Sequence, residues 1–296
     1  MSHAHVVAQA KLNLGLHVLA REASGFHSIE TLFVRLALGD QVRVRTAANG
    51  RSIDCRGADA GPPEANLAFR AALAYQEAAG WPRGFAIEIE KAIPVGGGLG
   101  GGSADAGAVL RALNALAPPR RELPDHQLLR LAGALGSDVP FLTTTTSRAL
   151  GWGRGERLLA LRPLPRRHVV LVVPDFRIAT RDAYEWLSAR GEIPRVPSLT
   201  TMAELASWET LAPLARNDFE RVVAARHPEI LTIISALRDA GATIAHLTGT
   251  GSVVYGVFAQ PPQLGALARS VPGRVIATRT AARARPVEAG AQRASA

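Results

Sequence analysis

Between Phe85 and Pro118 the hydrophobic period of the chain changes from two residues to 3.6, and "IPVGGGLGGGSADAG" fills the change with six glycines in the seven positions from Gly96 to Gly102. "FAIEIEKAI", Phe85 to Ile93, alternates as a half-buried strand. "SADAGAVLRALNALAPP" has helical spacing, with Ser103 suited to an N-cap and Pro118 and Pro119 to stop it. The pattern predicts a glycine loop joining a strand to a helix. Without a Cβ, such a loop turns consecutive amides toward an anion, and the helix N-terminus adds orphan N–H donors and partial positive charge. It reads as a phosphate-binding loop, with a tight packing turn or a surface linker as the alternative.

Two common loop types fit poorly. The pattern G-x-x-x-x-G-K-[ST] runs from Gly97 to Gly102 but then meets Ser103 where lysine is required. G-x-G-x-x-G matches Gly96, Gly98 and Gly101, yet it lies far into the chain and no acidic residue ends a strand about 20 residues later. Any side-chain cation for the phosphates must come from elsewhere. Only Lys11 and Lys91 are lysines among 34 basic residues.

Strand alternation recurs at Val6 to Leu19 and Asp40 to Thr46, and helix patterns occupy "PEANLAFRAALAYQEAAG" and "PDHQLLRLAGALG". The proline- and arginine-rich "LRPLPRRH", Leu161 to His168, reads as a linker. After it come a buried-type strand "VVLVVP", helices in "RDAYEWLSARG", "NDFERVVAARHPEILTIISALRDAG" and "PPQLGALARSV", and strands in "AHLTGTGSVVYGVF" and "RVIATRTA". We expect an α+β protein of two domains, 1–160 and 161–281, with 282–296 as a disordered tail of small and charged residues. With 296 residues, 47% of them hydrophobic, each domain can bury a core. Cys55 is the sole cysteine, which excludes an intrachain disulfide and a cysteine metal cluster. No long apolar run or basic leader stands out, so a cytoplasmic protein without a membrane partner is expected. The net charge of +9 is scattered along the chain; a basic RNA-binding module stays open as an alternative of different class.

"PVGGGLGGGSADAG" resembles the central nucleotide loop of the GHMP kinases, the group that contains galactokinase, homoserine kinase and mevalonate kinase. "AKLNLGLHVLAREASGFHSIETLFVRLALGD", Ala10 to Asp40, and "LTGTGSVVYGVF", Leu247 to Phe258, are similar to that family's first and third motifs. The resemblance implies an N-terminal domain like the second domain of ribosomal protein S5 and a ferredoxin-like C-terminal domain, with ATP and Mg²⁺ as cofactors. Within the group, the K-x-N-L-x-L-x-V core, "GFH", "TLF", "GSDVPFL" and "GWGRGE" are most similar to members acting on a small cytidine diphosphate alcohol. That implies a small-molecule cytidine diphosphate substrate, no nucleic-acid partner, and a monomer or homodimer. Another small-molecule kinase, such as a homoserine kinase, remains the alternative within the family.

Residue by residue, the resemblance makes Lys11 and Asp138 catalytic, with Asp138 as general base on the substrate hydroxyl. On the residues alone, Asp138 reads equally as a helix cap before Val139 and Pro140. Lys11 on an apolar segment needs a partner if buried, or it is a strand-edge lysine reaching solvent. By resemblance, Asn13, Phe26, His27, Arg154, Thr180, Tyr184, Gly249 and Gly251 bind the substrate, with Phe26 and Tyr184 stacking on the cytosine. ATP falls to Pro94, Val95, Gly96, Gly97, Gly98, Leu99, Gly100, Gly101, Gly102, Ser103 and Ala104, with Asn66 and Lys91 near its base or ribose. Ser103 is the candidate metal contact. The chain departs from the family in carrying Phe26 for tyrosine and Ala104 for a second serine.

Overall fold

The alternation at the start of the chain runs further than its apolar stretch, forming β1 (Ser2–Arg21) and β2 (His27–Ala47), paired antiparallel from His3↔Arg45 to Arg21↔His27. The computed structural model describes residues 2–23, 25–57, 61–189 and 201–291. Register shifts fall between Gln9 and Lys11 and between Asn13 and Gly15. Such bulges bend a ribbon and re-aim its side chains. Here they bracket Lys11 and Asn13, both buried although they alternate with the core residues Ala10, Leu12 and Leu14, so this part of β1 is covered on both faces.

The chain continues through β3 (Arg51–Arg56), α1 (Leu67–Ala79), β4 (Gly84–Glu90), α2 (Gly101–Leu116), α3 (Asp125–Leu135), α4 (Val139–Thr143), β5 (Arg148–Gly153) and β6 (Arg157–Ala160). A second unit follows with β7 (His168–Val173), α5 (Thr180–Ala189), α6 (Trp208–Leu211), α7 (Glu220–Ala224), α8 (Glu229–Asp239), β8 (Ile244–Leu247), β9 (Val254–Phe258), α9 (Leu264–Ser270) and β10 (Arg274–Arg279). The chain then returns as β11 (Glu288–Ala291) to the first sheet. That sheet has the order β11-β1-β2-β4-β3, with β5 and β6 branching from β2. The second sheet is antiparallel with the order β10-β7-β9-β8, the strand order of a ferredoxin-like βαββαβ unit.

Small residues let α2 lie close on its neighbours: Ala104, Ala106, Ala108, Val109, Ala112 and Leu113 are all buried along it. At Gly107 an added Cβ would come within 2.8 Å of the Leu142 carbonyl carbon, so α2 and α4 touch backbone to backbone.

Three sequence expectations need correction. The expected tail 282–296 includes β11, which pairs with the edge of β1 from Ser2↔Ala291 to His5↔Glu288. Backbone hydrogen bonds hold it there and need no apolar pattern; residues 292–296 lie outside the described residues. The single helix expected over 217–241 is two, because Pro228 lacks an N–H and α8 starts afresh after it. Ser103 does not cap α2: Gly100, at φ 72°, is its N-cap and the helix begins at Gly101.

Candidate active site

A cleft of about 1410 Å³ opens where the glycine loop, the β1–β2 hairpin and α5 converge. Of the residues singled out from sequence, Asn13, Phe26, His27, Asn66, Lys91, Pro94 to Ser103, Asp138, Arg154, Thr180 and Tyr184 line it. Four do not. Lys11 lies beneath the floor, and Ala104, only 2% exposed, faces the core under α2. Gly249 and Gly251 stand behind the glycine loop, and Thr250 takes their place in the wall.

The two glycine turns interlock. A Cβ on Gly98, which holds φ 78°, would fall 2.1 Å from the Thr248 carbonyl oxygen, and one on Gly249 would fall 3.1 Å from Gly98 Cα. The Thr248 hydroxyl donates to Gly98 O at 3.3 Å, and Val253 N donates to Gly97 O at 3.3 Å. The second sheet's β8–β9 turn therefore braces the first domain's loop. Gly100 rests on the stem of Lys11, where a Cβ would meet Cγ and Cε at 3.1 Å, and Lys11 N donates to Leu99 O at 3.0 Å.

Lys11 is 3% exposed, and its Nζ donates to Asn13 Oδ1 at 2.6 Å and lies 3.1 Å from Asp138 Oδ2. Asn13 cannot turn its amide away, because Nδ2 donates to Thr31 Oγ1 at 2.8 Å and Thr31 in turn donates to Gly15 O. An ammonium this buried costs several kcal/mol unless paired, and these two partners supply the pairing. Asp138 occupies the N-cap position of α4, yet its side chain makes no capping hydrogen bond. Its carboxylate is 29% exposed and borders the cleft. The arrangement is an ion pair with a closed ammonium and an open carboxylate, suited to taking a proton from a hydroxyl.

At the hairpin tip, His27 stacks on Tyr184 with ring centroids 4.7 Å apart and planes at 27°, and Ser188 Oγ lies 3.2 Å from His27 Nε2. Tyr184 stands edge-on to Phe219 at 4.8 Å. Burial, assisted by Arg21 and opposed by Glu22, lowers the His27 pKa and keeps the imidazole neutral near neutral pH. Burial raises the Tyr184 phenol to about 12, with the charge of Asp138 adding to it. Phe26 is 56% exposed, and the Arg154 guanidinium lies 3.8 Å from its ring centroid while bonding Glu22 at 2.7 Å. Phe26 and Arg154 are thus one stacked unit, a pairing that nothing in the sequence spacing announces.

The other lysine is engaged differently. Lys91 Nζ donates to Asp40 Oδ2 at 2.5 Å and to Asp105 Oδ2 at 2.6 Å, with its side chain 7% exposed. Burial alone would lower the Lys91 pKa, but Asp105 and Asp40 outweigh it and raise it. Burial pushes Asp105 up to about 8, against the pull of Lys91. Sequence reasoning missed both aspartates; Asp40 reads as the start of a strand and Asp105 as a helix residue. Asn66 is the N-cap of α1, its Oδ1 accepting from Ala68 N at 2.9 Å and Phe69 N at 3.4 Å. Its Nδ2 turns instead toward Cys55 Sγ at 3.6 Å, at the cleft wall.

The donor set suits magnesium. Ser103 brings a hydroxyl to the cleft beside the glycine loop, and among the described residues no group of three or more His, Cys, Asp or Glu forms a protein cage. Magnesium keeps several waters and takes phosphate oxygens with one or two protein ligands, so it needs no such cage.

Models of the GHMP kinases N terminal domain and the GHMP kinases C terminal match residues 66–145 and 201–276. The chain belongs to the GHMP kinase family, and its α+β architecture is that family's fold. Among its relatives are proteins named 4-diphosphocytidyl-2-C-methyl-D-erythritol kinase. The one from Deinococcus radiodurans is 37% identical over 91% of this chain and 90% of its own length. The one from Pelotomaculum thermopropionicum is also 37% identical, over 93% and 96%. A crystal structure of 4-(cytidine 5'-diphospho)-2C-methyl-D-erythritol kinase superposes with a TM-score of 0.76 at 34% identity, covering 93% of this chain and 98% of that one. Homoserine kinase from Cytophaga hutchinsonii, at 18% identity and a TM-score of 0.69, shares the fold.

Proposed function

We propose that the chain is an ATP-dependent kinase that phosphorylates the 2-hydroxyl of 4-diphosphocytidyl-2-C-methyl-D-erythritol, a step toward isoprenoid precursors. The observation that carries this reading is the placement of the Lys11–Asp138 pair between a glycine loop and an aromatic group built on His27 and Tyr184. Each part matches a portion of the reaction. Relatives of this name along nearly the whole chain support the substrate. The cleft, at about 1410 Å³, exceeds the roughly 300–1,000 Å³ of an ordinary ligand pocket and has room for a nucleotide and a second large ligand.

The amides of Gly96 to Gly102 and the N-terminus of α2 hold the triphosphate. Asp138 accepts the proton of the substrate hydroxyl as its oxygen bonds to the γ-phosphorus, and the bond from that phosphorus to the β–γ bridging oxygen breaks to release ADP. Lys11 holds Asp138 in place and carries positive charge beneath the reacting oxygens. Neutral His27, with Nε2 beside Ser188 Oγ, has its other ring nitrogen to bond the cytosine edge, and Tyr184 offers a stacking face. Ser103 would hold magnesium, which when bound neutralises charge on the phosphate oxygens.

Steady-state ATP consumption tests the reading, with 4-diphosphocytidyl-2-C-methyl-D-erythritol beside homoserine, mevalonate and galactose. Turnover on the cytidine compound alone is expected. Equal turnover on all four, or none on the first, overturns it.

A further inference from the structure

Asp40 is wholly buried on β2 and lies outside the cleft wall. Its Oδ1 accepts from the backbone N–H of Ala92 at 2.6 Å and of Ile93 at 2.7 Å, the residues that lead into the glycine loop. Its Oδ2 accepts from Lys91 Nζ. The same ammonium donates to Asp105 Oδ2, on α2 where the loop ends, and sits under Gly101, whose Cβ would lie 3.5 Å from it. Asp105 Oδ1 is buried without a hydrogen-bond partner, so the ammonium is what anchors that carboxyl group.

We propose that Asp40, Lys91 and Asp105 form a buried strut that fixes the two ends of the glycine loop relative to each other and so positions its amides for the nucleotide phosphates. Asp40 is then a positioning residue that never meets the nucleotide, and the Lys91 ammonium is a tie between backbone segments. The inference rests on the reading that this loop holds ATP.

Two arguments favour a tie over a phosphate ligand. Six glycines in seven positions give the loop wide backbone freedom, so a convergent set of amides requires firmly held ends. Two of the three N–H donors of the ammonium are already spent on buried carboxyl groups, so moving it over to a phosphate would leave them unpaired, and unpaired buried charge is strongly disfavoured. A bare cation under the first turn of a helix would also oppose the helix dipole, and the two carboxyl groups offset it.

The test is calorimetric titration of the full chain with ATP and magnesium, which needs no second substrate. Asp40→Asn and Lys91→Met should each weaken ATP binding by about tenfold, and the double variant should be no weaker than the poorer single within about twofold, because one strut is cut once. In steady state, KM for ATP should rise while KM for the cytidine substrate stays within about twofold. If Lys91→Met weakens ATP and Asp40→Asn does not, or if the two effects multiply, Lys91 acts on the nucleotide itself and the strut is refuted. Should Asp40→Asn fail to give a cooperative melt, Asp105→Leu replaces it in the cycle with the same two outcomes. A wild-type chain that binds no ATP would instead overturn the reading of the loop.

Discussion

Lys11 and Lys91 lie beneath consecutive glycines, Gly100 and Gly101, at the start of α2. Both are nearly enclosed, and both pair with aspartate. They differ in their partners. Asp138, beside Lys11, is 29% exposed and borders the cleft, whereas Asp40 and Asp105, beside Lys91, are 0% and 6% exposed. An ion pair with an open carboxylate can exchange a proton with a ligand; one whose carboxyl groups are both buried is better suited to holding pieces of chain together, even though Lys91 and Asp105 border the cleft. On the two proposals above, similar chemistry a residue apart in the loop serves a reaction in one place and architecture in the other.

The largest expected effect tests the open pair. Asp138→Asn keeps the shape and removes the proton acceptor, so kcat should fall about 10³-fold with little change in ATP affinity, measured by steady-state kinetics and calorimetry. An unchanged kcat would leave Asp138 as a mere start to α4. Next, Lys11→Met should lower kcat about 10²-fold while ATP affinity stays within about threefold, the reverse of the pattern for Lys91→Met. Should Lys11→Met weaken ATP as Lys91→Met does, the distinction between the two lysines collapses.

The smallest effect is a pH dependence. Burial holds the His27 pKa below its ordinary 6.5, so the neutral imidazole predominates above about pH 6.5 and is lost as pH falls through the lowered value. KM for the cytidine substrate should be flat above that point and rise on the acid side, since an imidazolium can only donate. His27→Gln should flatten the acid limb at a cost of a few-fold in KM; an acid limb that survives the substitution assigns it to another group.

How much of this could be read from sequence depended on the kind of signal. The glycine loop was legible because the period changes on either side of it, and β4 and α2 flank it as that change implies. The ferredoxin-like half was legible through its resemblance, while the helical spacing over 217–241 continues across Pro228 and hides the break between α7 and α8. β11 was hidden because an edge strand can be recruited by its backbone alone, and small and charged residues give no alternation to find. Asp40 and Asp105 were hidden for another reason. Their meaning lies in meeting Lys91 across 51 and 14 residues, and no local pattern encodes that encounter. The same holds for Arg154 on Phe26, 128 positions apart by number and stacked in space.

The nested turns at Gly98 and Thr248 also define where this chain is free to vary. At Gly25 and Gly50 an added methyl group would meet nothing within 4 Å, although the positive φ still favours glycine. At Gly98 it would strike a carbonyl oxygen of the other domain. At position 104 the alanine side chain faces the core. A side chain at Gly98 would need a matching retreat of Thr248, so these two stretches, 150 residues apart, fit only as a pair.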